Sequence, residues 1–264
     1  MSEFKKYRNL IWELSKNDFK KRYAGSSLGR VWAFVQPIVT VVLYYFVFGV
    51  VLPGRAPYAS EVPYVVWLTA GLVPWLFFNE AVTTGANVMN EYNYLVKKVV
   101  FKVGILPFIK TVSATFIHIF FIFVLLVMYF LYRFKPSFQI IELLYYSFCM
   151  FMIALAITYI TSAVTVFFKD LLQIINILLM VGMWGTPILW HISMVEEKMP
   201  ALVPFFRFNP INYIIEGYRS ALFEGTWVHE RWLDTLVFWG IVAVLFAIGA
   251  YVFKKLRPLF ADVL

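Results

Sequence analysis

Six long apolar runs constrain the fold of this chain more than any other feature of its sequence. Each run is close to or above the length of about 20 residues that a transmembrane helix needs. The chain is 62% hydrophobic and 14% charged, whereas about 25% of the residues in a soluble domain are charged. We therefore predict an all-α integral membrane protein with six transmembrane helices, at 31–52, 62–86, 104–132, 140–168, 171–190 and 233–254.

The distribution of basic residues predicts the orientation of the chain. Six spans place both termini on the same side of the membrane, and sixteen of the 23 Lys and Arg residues fall on that side. Cytoplasmic loops carry an excess of Lys and Arg, so we expect a multi-pass protein of the cell membrane with both termini in the cytoplasm. The same distribution accounts for the net charge of +8, and we predict no nucleic-acid partner.

Residues 1–30 have the pattern of a helix that lies along the cytoplasmic membrane surface. Phe4, Tyr7, Ile11 and Leu14 recur every three or four residues, with charged residues between them. This spacing places the four side chains on one face of an amphipathic helix. A Lys-rich helix of this kind next to a first span is expected to lie in the membrane interface.

The region between the fifth and sixth spans is apolar but broken by prolines. Residues 199–225 contain Pro200, Pro204 and Pro210, and the apolar pieces between them are too short to cross a bilayer. Apolar segments of this length are re-entrant or interfacial. Non-helical backbone at membrane depth is tolerated only where protein buries it or where it lines a watery cavity. We therefore predict a pathway through the membrane with a gate on its outer side.

The inner loop at 87–103 is the second informative segment. Its stretch from Asn90 to Phe101 mixes polar, aromatic and basic residues, which favours a short helix exposed in the cytoplasm. Such a helix suits docking to a soluble partner. An ordinary basic loop that anchors the topology explains the pattern equally well.

Three charged or titratable features inside apolar segments have alternative interpretations. Glu80 is a candidate for proton coupling because an ionisable residue within a span is functional by default, but its place near the cytoplasmic end favours a structural role. His118 is more typical of a polar contact between helices than of a metal ligand. Glu216 and Arg219 can pair on one helix face, either as part of an outer gate or, as we favour, simply to place the segment.

The motifs that the chain lacks limit the function classes. No phosphate-binding G-x-x-x-x-G-K-[ST] loop and no hydrolase or metalloprotease signature is present. If transport uses ATP, the ATPase is another polypeptide. With Cys149 as the one cysteine, a disulfide within the chain and a Cys-based metal site are excluded. Besides an ATP-driven exporter, we consider an ion-coupled transporter using Glu80 and His118, and an enzyme acting on a polyprenyl lipid.

Five segments together resemble the polysaccharide-exporting permeases of the ABC-2 family, in the same order along the chain. They are DFKKRYAGSSLGRVWAFVQPIVTVVLYYFVFG (18–49), NEYNYLVKKVVF (90–101), KDLLQIINILLMVGMWGTPILW (169–190), FNPINYIIEGYRSALFEG (208–225) and KKLRPLFADVL (254–264). Within the family, the chain resembles most the wall teichoic acid permeases, while O-antigen permeases share the same motifs. The resemblance implies a re-entrant helix pair between the fifth and sixth spans.

The resemblance also implies a mechanism and its partners. In this mechanism, two copies of the chain pair around a channel, and each copy binds a separate ATP-binding subunit that holds ATP and magnesium. The transporter, surrounded by membrane lipids, moves a polyanionic polymer on undecaprenyl diphosphate outward. No catalytic residue, cofactor or metal is expected in this chain. The coupling-helix candidates are Asn90, Glu91, Tyr92, Tyr94, Lys97 and Lys98. The candidates for binding the lipid diphosphate, by charge-assisted hydrogen bonds, are Lys20, Lys21, Arg22 and Arg30. The outer-gate candidates are Trp184, Pro187, Trp190, Pro210, Glu216 and Arg219.

Overall fold

The structure is a computed structural model that describes residues 2–22, 27–51, 62–98, 101–135 and 137–264, without the side chains of residues 2–7 and Arg30. All regular secondary structure in these residues is helical, which confirms the predicted all-α class. Three residues to which we assigned roles, Phe4, Tyr7 and Arg30, have side chains outside this description. The predicted end of the first span at Leu52 also lies outside it.

Thirteen helices make up the described chain. They are α1 (Ser2–Arg22), α2 (Trp32–Val51), α3 (Tyr64–Ala86), α4 (Val88–Glu91), α5 (Asn93–Val96), α6 (Leu106–Leu131), α7 (Glu142–Thr165), α8 (Leu171–Gly185), α9 (Ser193–Lys198), α10 (Val203–Arg207), α11 (Pro210–Arg219), α12 (Trp232–Leu256) and α13 (Phe260–Val263). Among the described residues, the helices that are long and apolar enough to cross a membrane number five and are α2, α3, α6, α7 and α12.

Helix α3 lies at the centre of the fold. It packs against α2, α6, α7, α8 and α11, and 78% of its most apolar window is buried. A helix that is apolar on all sides can be surrounded by other helices without burying an unpaired polar face. Because its neighbours come from the N-terminal and the C-terminal half of the chain, α3 fixes the positions of these helices relative to each other.

Helix α8 ends five residues before the predicted end of the fifth span at 171–190. Its 15 residues extend about 22 Å, less than the roughly 30 Å of a bilayer core. Thr186 follows Gly185 with an extended backbone (φ −102°, ψ 142°), because the proline at the next position disfavours the helical conformation. The continuous helix that we predicted over 171–190 is therefore wrong, and its last part is a turn.

The residues that follow α8 form this turn and then a series of short helices. Residues 186–189 are buried, and we call residues 186–190 the buried turn. After it come α9, a 3₁₀ turn, α10 and α11, which packs against α3, α7 and α12. Pro210 occupies the first turn of α11, where its missing N–H costs no helical hydrogen bond.

A second apolar cluster supports the end of the molecule that carries α1, α4 and α5. Val88, Met89 and Val96 from α4 and α5 pack there with Val103, Leu106, Ile109, Ala163, Val166, Phe253 and Phe260. The short helices α4 and α5 are thus fixed on the ends of α6, α7 and α12. Helix α1 joins the same end of the fold: the Trp12 ring packs edge-on against Phe116 at 5.4 Å, and the Ser15 hydroxyl donates to the Ile109 carbonyl at 3.3 Å.

Replacing Gly217 with alanine is expected to destabilise the contact between α11 and α7. A Cβ atom at this position would lie 2.2 Å from the ring of Tyr146, which is fully buried. Overpacking of this kind costs about 1–3 kcal/mol, and it should lower the midpoint of thermal unfolding in detergent. Gly240→Ala is the matched control, since nothing lies within 4 Å of its added Cβ. Equal midpoints for the two variants would contradict the close packing.

Candidate functional site

A cluster of charged side chains joins α1 to α3, to α6 and to the segment that carries α4 and α5. We define the α1 ion cluster as Asp18, Arg22, Glu80, Glu91, Tyr92 and Lys110. Lys110 Nζ lies 2.6 Å from Asp18 Oδ1 and 2.6 Å from Glu91 Oε2. The Tyr92 hydroxyl donates to Asp18 at 2.8 Å. The side chains of Asp18 and Lys110 are only 1% and 3% exposed, so this ion pair is shielded from solvent.

The sequence reason for this arrangement lies in the spacing along α1. Trp12, Ser15 and Asp18 are three residues apart, so they share one helix face, and that face lies on α6. Arg22, one turn beyond Asp18, binds Asp18 at 3.2 Å and also pairs with Glu80 of α3. Glu80 is therefore engaged in an ion pair, which we did not predict from the sequence.

The charge state of Asp18 follows from its neighbours. Burial raises the pKa of its carboxyl group, but the charges of Lys110 and Arg22 and the hydrogen bond from Lys110 outweigh burial, so the pKa lies below its ordinary value of 3.8. The ionised carboxylate therefore stabilises the fold above about pH 4, and this contribution is lost as pH falls through the lower pKa of the folded state. Burial and the charge of Asp18 raise the pKa of Tyr92, which keeps its hydroxyl protonated and able to donate.

The six coupling-helix candidates divide into inward and outward groups. Tyr92 is buried at the ion cluster, Glu91 binds Lys110, and the Asn90 amide donates to Asn87 at 3.1 Å. The outward group, which is exposed, consists of Tyr94, Lys97 and Lys98. The segment thus has one side fixed to the fold and another available to a partner.

The candidates for binding a lipid diphosphate are placed differently from one another. Arg22 is engaged by two carboxylates. Lys21 lies over the rings of Tyr92 and Tyr94, with 5.8 Å from its Nζ to each ring centre. Lys20 is exposed. The described candidates therefore do not converge on one anion site, and Lys20 and Lys21 are the two not bound by carboxylates.

At the other end of α3, side chains satisfy the backbone of the buried turn. The Arg219 guanidinium donates to the carbonyl of Pro187 at 2.7 Å and to that of Ile188 at 2.9 Å. The Tyr64 hydroxyl donates to the Leu189 carbonyl at 3.0 Å. Buried carbonyl groups need such partners, so three consecutive carbonyls of a non-helical segment are accounted for.

Arg219 is itself held on several sides. Its side chain is 1% exposed and donates to Glu216 at 2.7 Å, which is the pairing expected from their spacing. The guanidinium carbon lies 3.5 Å from the centre of the Trp67 ring, a cation–π contact. Gly71 leaves room for the head group, because a Cβ there would lie 2.8 Å from Arg219 Nη2.

The other predicted gate residues lie around this turn. The Trp190 indole donates to the Trp184 carbonyl at 3.0 Å and its ring packs edge-on against Phe206. Pro210 begins α11, and the preceding Asn209 caps that helix and donates to the Thr186 hydroxyl at 3.1 Å. The structure therefore brings Pro187, Glu216 and Arg219 together directly, while Trp190 lies on the buried turn and Trp184 on the last turn of α8.

His118 connects three helices between the two ends. Its Nε2 lies 3.3 Å from the Ser147 hydroxyl and 3.1 Å from the Tyr218 hydroxyl. These contacts join α6 to α7 and α11, as expected for a polar contact between helices. Among the residues that the structure describes, no group of three or more His, Cys, Asp and Glu side chains is placed to hold a metal ion.

A family match over most of the chain identifies the family. The family described as ABC-2 type transporter matches residues 9–223, which include most of α1, the ion cluster, the buried turn and α11. The chain belongs to this family. As an ABC-2 transporter it is a multi-pass membrane permease rather than an enzyme, and family members work with an ABC ATPase subunit.

Curated relatives match this ABC-2 transporter over nearly its whole length. The O-antigen export system permease protein RfbA of Klebsiella pneumoniae is 28% identical over 259 residues, which cover 97% of this chain and 95% of the relative. The protein of the same name from Myxococcus xanthus is 26% identical over 260 residues, covering 98% of this chain and 97% of the relative.

Several residues of both sites were not found from the sequence. Asp18 and Lys110 are 92 positions apart, and no local pattern connects them. Trp67 was one aromatic residue among many in an apolar run, and its partner Arg219 is distant in sequence. Asn209 did carry a usable signal, because asparagine before proline is a common start of a helix.

Proposed function

We propose that this chain is the membrane subunit of an ATP-driven exporter that moves a polysaccharide on undecaprenyl diphosphate from the inner to the outer face of the cell membrane. The supporting observation is its end-to-end similarity to permeases named for O-antigen export. An O-antigen-type glycan is therefore the first candidate substrate. Wall teichoic acid, favoured by the sequence motifs, is the second. ATP and magnesium belong to the separate ATPase chain.

The substrate proposal has a direct genetic test. The chain with its own ATPase subunit would be expressed in a strain lacking its O-antigen permease and in a strain lacking its teichoic acid permease. We expect surface glycan to be restored in the first strain. Restoration in the second strain alone would favour teichoic acid, and accumulation of lipid-linked polymer in both would contradict polysaccharide export.

The topology of the proposal has six crossings with both termini in the cytoplasm. Helix α8 together with the buried turn makes the fifth crossing, and α10 and α11 fold back as the re-entrant pair of the outer gate. The satisfied carbonyls of the turn support this placement, because unpaired backbone groups are not tolerated at membrane depth. Ion-coupled transport is less well supported, since Glu80 is bound by Arg22 and His118 by two hydroxyls.

A second copy of the chain completes the proposed channel. Helix α2 buries only Ala33, and α8 exposes a broad apolar face that includes Ile177, Leu178 and Val181. These faces are available to another protomer. Cross-linking of single cysteines on α2 in membranes, after Cys149 is replaced, is expected to give dimers.

Truncation of Tyr94 is expected to weaken binding of the ATPase subunit. Tyr94 is 48% exposed on the outward side of the coupling segment, and a buried tyrosine at the centre of an interface is often worth 2 kcal/mol or more. Tyr94→Ala should therefore raise the Kd for the ATPase subunit by about 30-fold, measured with the purified full chain in nanodiscs. Charge reversal of Lys97 and Lys98 should weaken ATPase coupling in the same complex.

Tyr132→Ala is the matched control for this experiment. Tyr132 is 49% exposed but follows the opposite end of α6, so its truncation should leave ATPase binding unchanged. Wild-type affinity in Tyr94→Ala, or normal export by the double lysine variant, would argue against docking at this segment.

A further inference from the structure

A groove beside the C-terminal half of α12 has no role in the proposed transport cycle. Phe246, Ala250 and Phe253 line it from α12, and Tyr159 and Gly104 form its opposite wall. Its volume is about 510 Å³. We call it the α12 groove. The Tyr159 hydroxyl donates to the Gly104 carbonyl at 2.9 Å, which fixes that wall and leaves an apolar, aromatic floor.

Two basic residues stand at one end of the groove. Lys254 and Arg257 line it and are exposed. Within the described part of the chain, neither forms an ion pair, and no carboxylate lines the groove. The groove is therefore amphipathic, with an apolar floor and an uncompensated double positive charge at its mouth.

The dimensions of the groove match one leaflet of a bilayer. Phe246, Ala250, Phe253 and Arg257 follow one another at three- or four-residue spacing, so they form a single stripe along α12 that ends at Arg257, directly after the helix. The stripe from Phe246 to Arg257 extends about 16 Å at roughly 1.5 Å per residue. Half of a bilayer core of about 30 Å is about 15 Å, which is the depth of one acyl chain.

We propose that the α12 groove binds one anionic phospholipid. Its phosphate lies between Lys254 and Arg257, and one acyl chain lies along the stripe from Phe253 to Phe246. Basic pockets between transmembrane helices on the cytoplasmic side are suited to anionic head groups. The leaflet concerned is the one at the C-terminal end of α12, which is the cytoplasmic leaflet in the orientation proposed above.

The test measures lipid binding directly and does not depend on transport. The full chain is purified in detergent, and phosphatidylglycerol is titrated while bound lipid is counted by native mass spectrometry. We expect one tightly bound phosphatidylglycerol, and at least tenfold weaker binding of phosphatidylcholine with the same acyl chains. Lys254→Gln combined with Arg257→Gln should reduce affinity for phosphatidylglycerol by about tenfold. Equal binding of the two lipids, or wild-type affinity in the double variant, would overturn the proposal.

Two further variants separate this site from general attraction of lipid to basic residues. Lys255→Gln removes a neighbouring positive charge whose Nζ lies over Tyr251 instead, at 5.9 Å, and should leave the affinity unchanged. Gly104→Leu should reduce the affinity without changing charge, because a Cβ at Gly104 already lies 3.8 Å from the Phe253 ring and the larger side chain extends into the groove. An equal loss in Lys255→Gln would count against a defined site.

Competition identifies the class of the occupant. Inorganic phosphate at millimolar concentration should not displace phosphatidylglycerol, since the acyl chain contributes to binding. Farnesyl diphosphate should compete no better than phosphatidylglycerol. If phosphate displaces phosphatidylglycerol, the groove binds only an anion. If farnesyl diphosphate binds preferentially, the groove belongs to the transported lipid. Either result would contradict the proposal that the groove binds a phospholipid.

Discussion

Asp18→Asn is expected to lower the free energy of unfolding by about 3 kcal/mol, because it leaves the buried ammonium group of Lys110 without its buried counter-charge. Lys110 is 3% exposed and would keep only Glu91, which is 43% exposed. The asparagine keeps the shape of the side chain but carries no charge. Thermal or denaturant unfolding of the full chain in detergent measures the change. The variant should also couple ATPase activity poorly, since the cluster joins α1 to the segment that carries Tyr94.

Two controls make the Asp18 experiment decisive. Glu13→Gln removes a carboxylate from the same helix, but its bond to Lys16 is 3.6 Å long and exposed, so the expected change is below about 1 kcal/mol. Asp18→Leu with Lys110→Met replaces both charges by apolar groups and should restore stability to within about 1 kcal/mol of the wild type. If this double variant is stable but still uncoupled, the charges matter for coupling itself. A loss below 1 kcal/mol in Asp18→Asn would contradict the buried ion pair.

Arg219→Met is expected to have an effect of similar size at the other end of α3. It leaves the carbonyls of Pro187 and Ile188 without donors, and each unsatisfied buried group costs about 1–3 kcal/mol. We expect a loss of about 4 kcal/mol from the two together. Because the buried turn is proposed as part of the outer gate, the variant should also let small ions leak from proteoliposomes, which an ion-sensitive dye measures.

Three comparisons separate the geometry of Arg219 from its charge. Arg219→Lys keeps the charge but not the planar fork that reaches two carbonyls, so it should recover only part of the stability. Gly71→Ala should displace the guanidinium without removing it. Arg207→Met removes an arginine whose side chain is 67% exposed and whose bond to Asp234 is 3.7 Å, and it should behave as the wild type. If proteoliposomes that contain Arg219→Met do not leak small ions, the buried turn is not part of the seal.

The features that could be predicted from the sequence are those with a local cause. Helix α3 follows from its apolar run, and the Glu216–Arg219 pair from a spacing of three residues on one helix face. The end of α8 also had a local signal, since Gly185, Thr186 and Pro187 all disfavour a helix there. No charged residue interrupts the sequence from Leu171 to Trp190, and for that reason a rule based on uncharged length extended the span too far.

The features that could not be predicted depend on distant pairings. In the sequence, Asp18 cannot be distinguished from the other polar residues of an amphipathic helix. Only the packing of α1 on α6 brings Lys110 next to it. Arg219 has a predictable partner in Glu216, but its contact with Trp67 depends on the central position of α3. The packing of α1 also places Arg22 next to the carboxylates of Asp18 and Glu80, whereas it places Lys20 and Lys21 away from them.

The site of Arg219 also bears on how the chain is made. Its surroundings, Trp67, Gly71, Pro187, Ile188 and Glu216, all precede Arg219 in the sequence, so a ribosome delivers every one of them before the arginine itself. A lone guanidinium entering a bilayer is costly. Here the acceptors and the aromatic face can already be inserted when α11 emerges from the translocon. In the proposed topology, the guanidinium of Arg219 would thus enter the membrane after the groups that bind it, so it would not wait there unpaired during biogenesis.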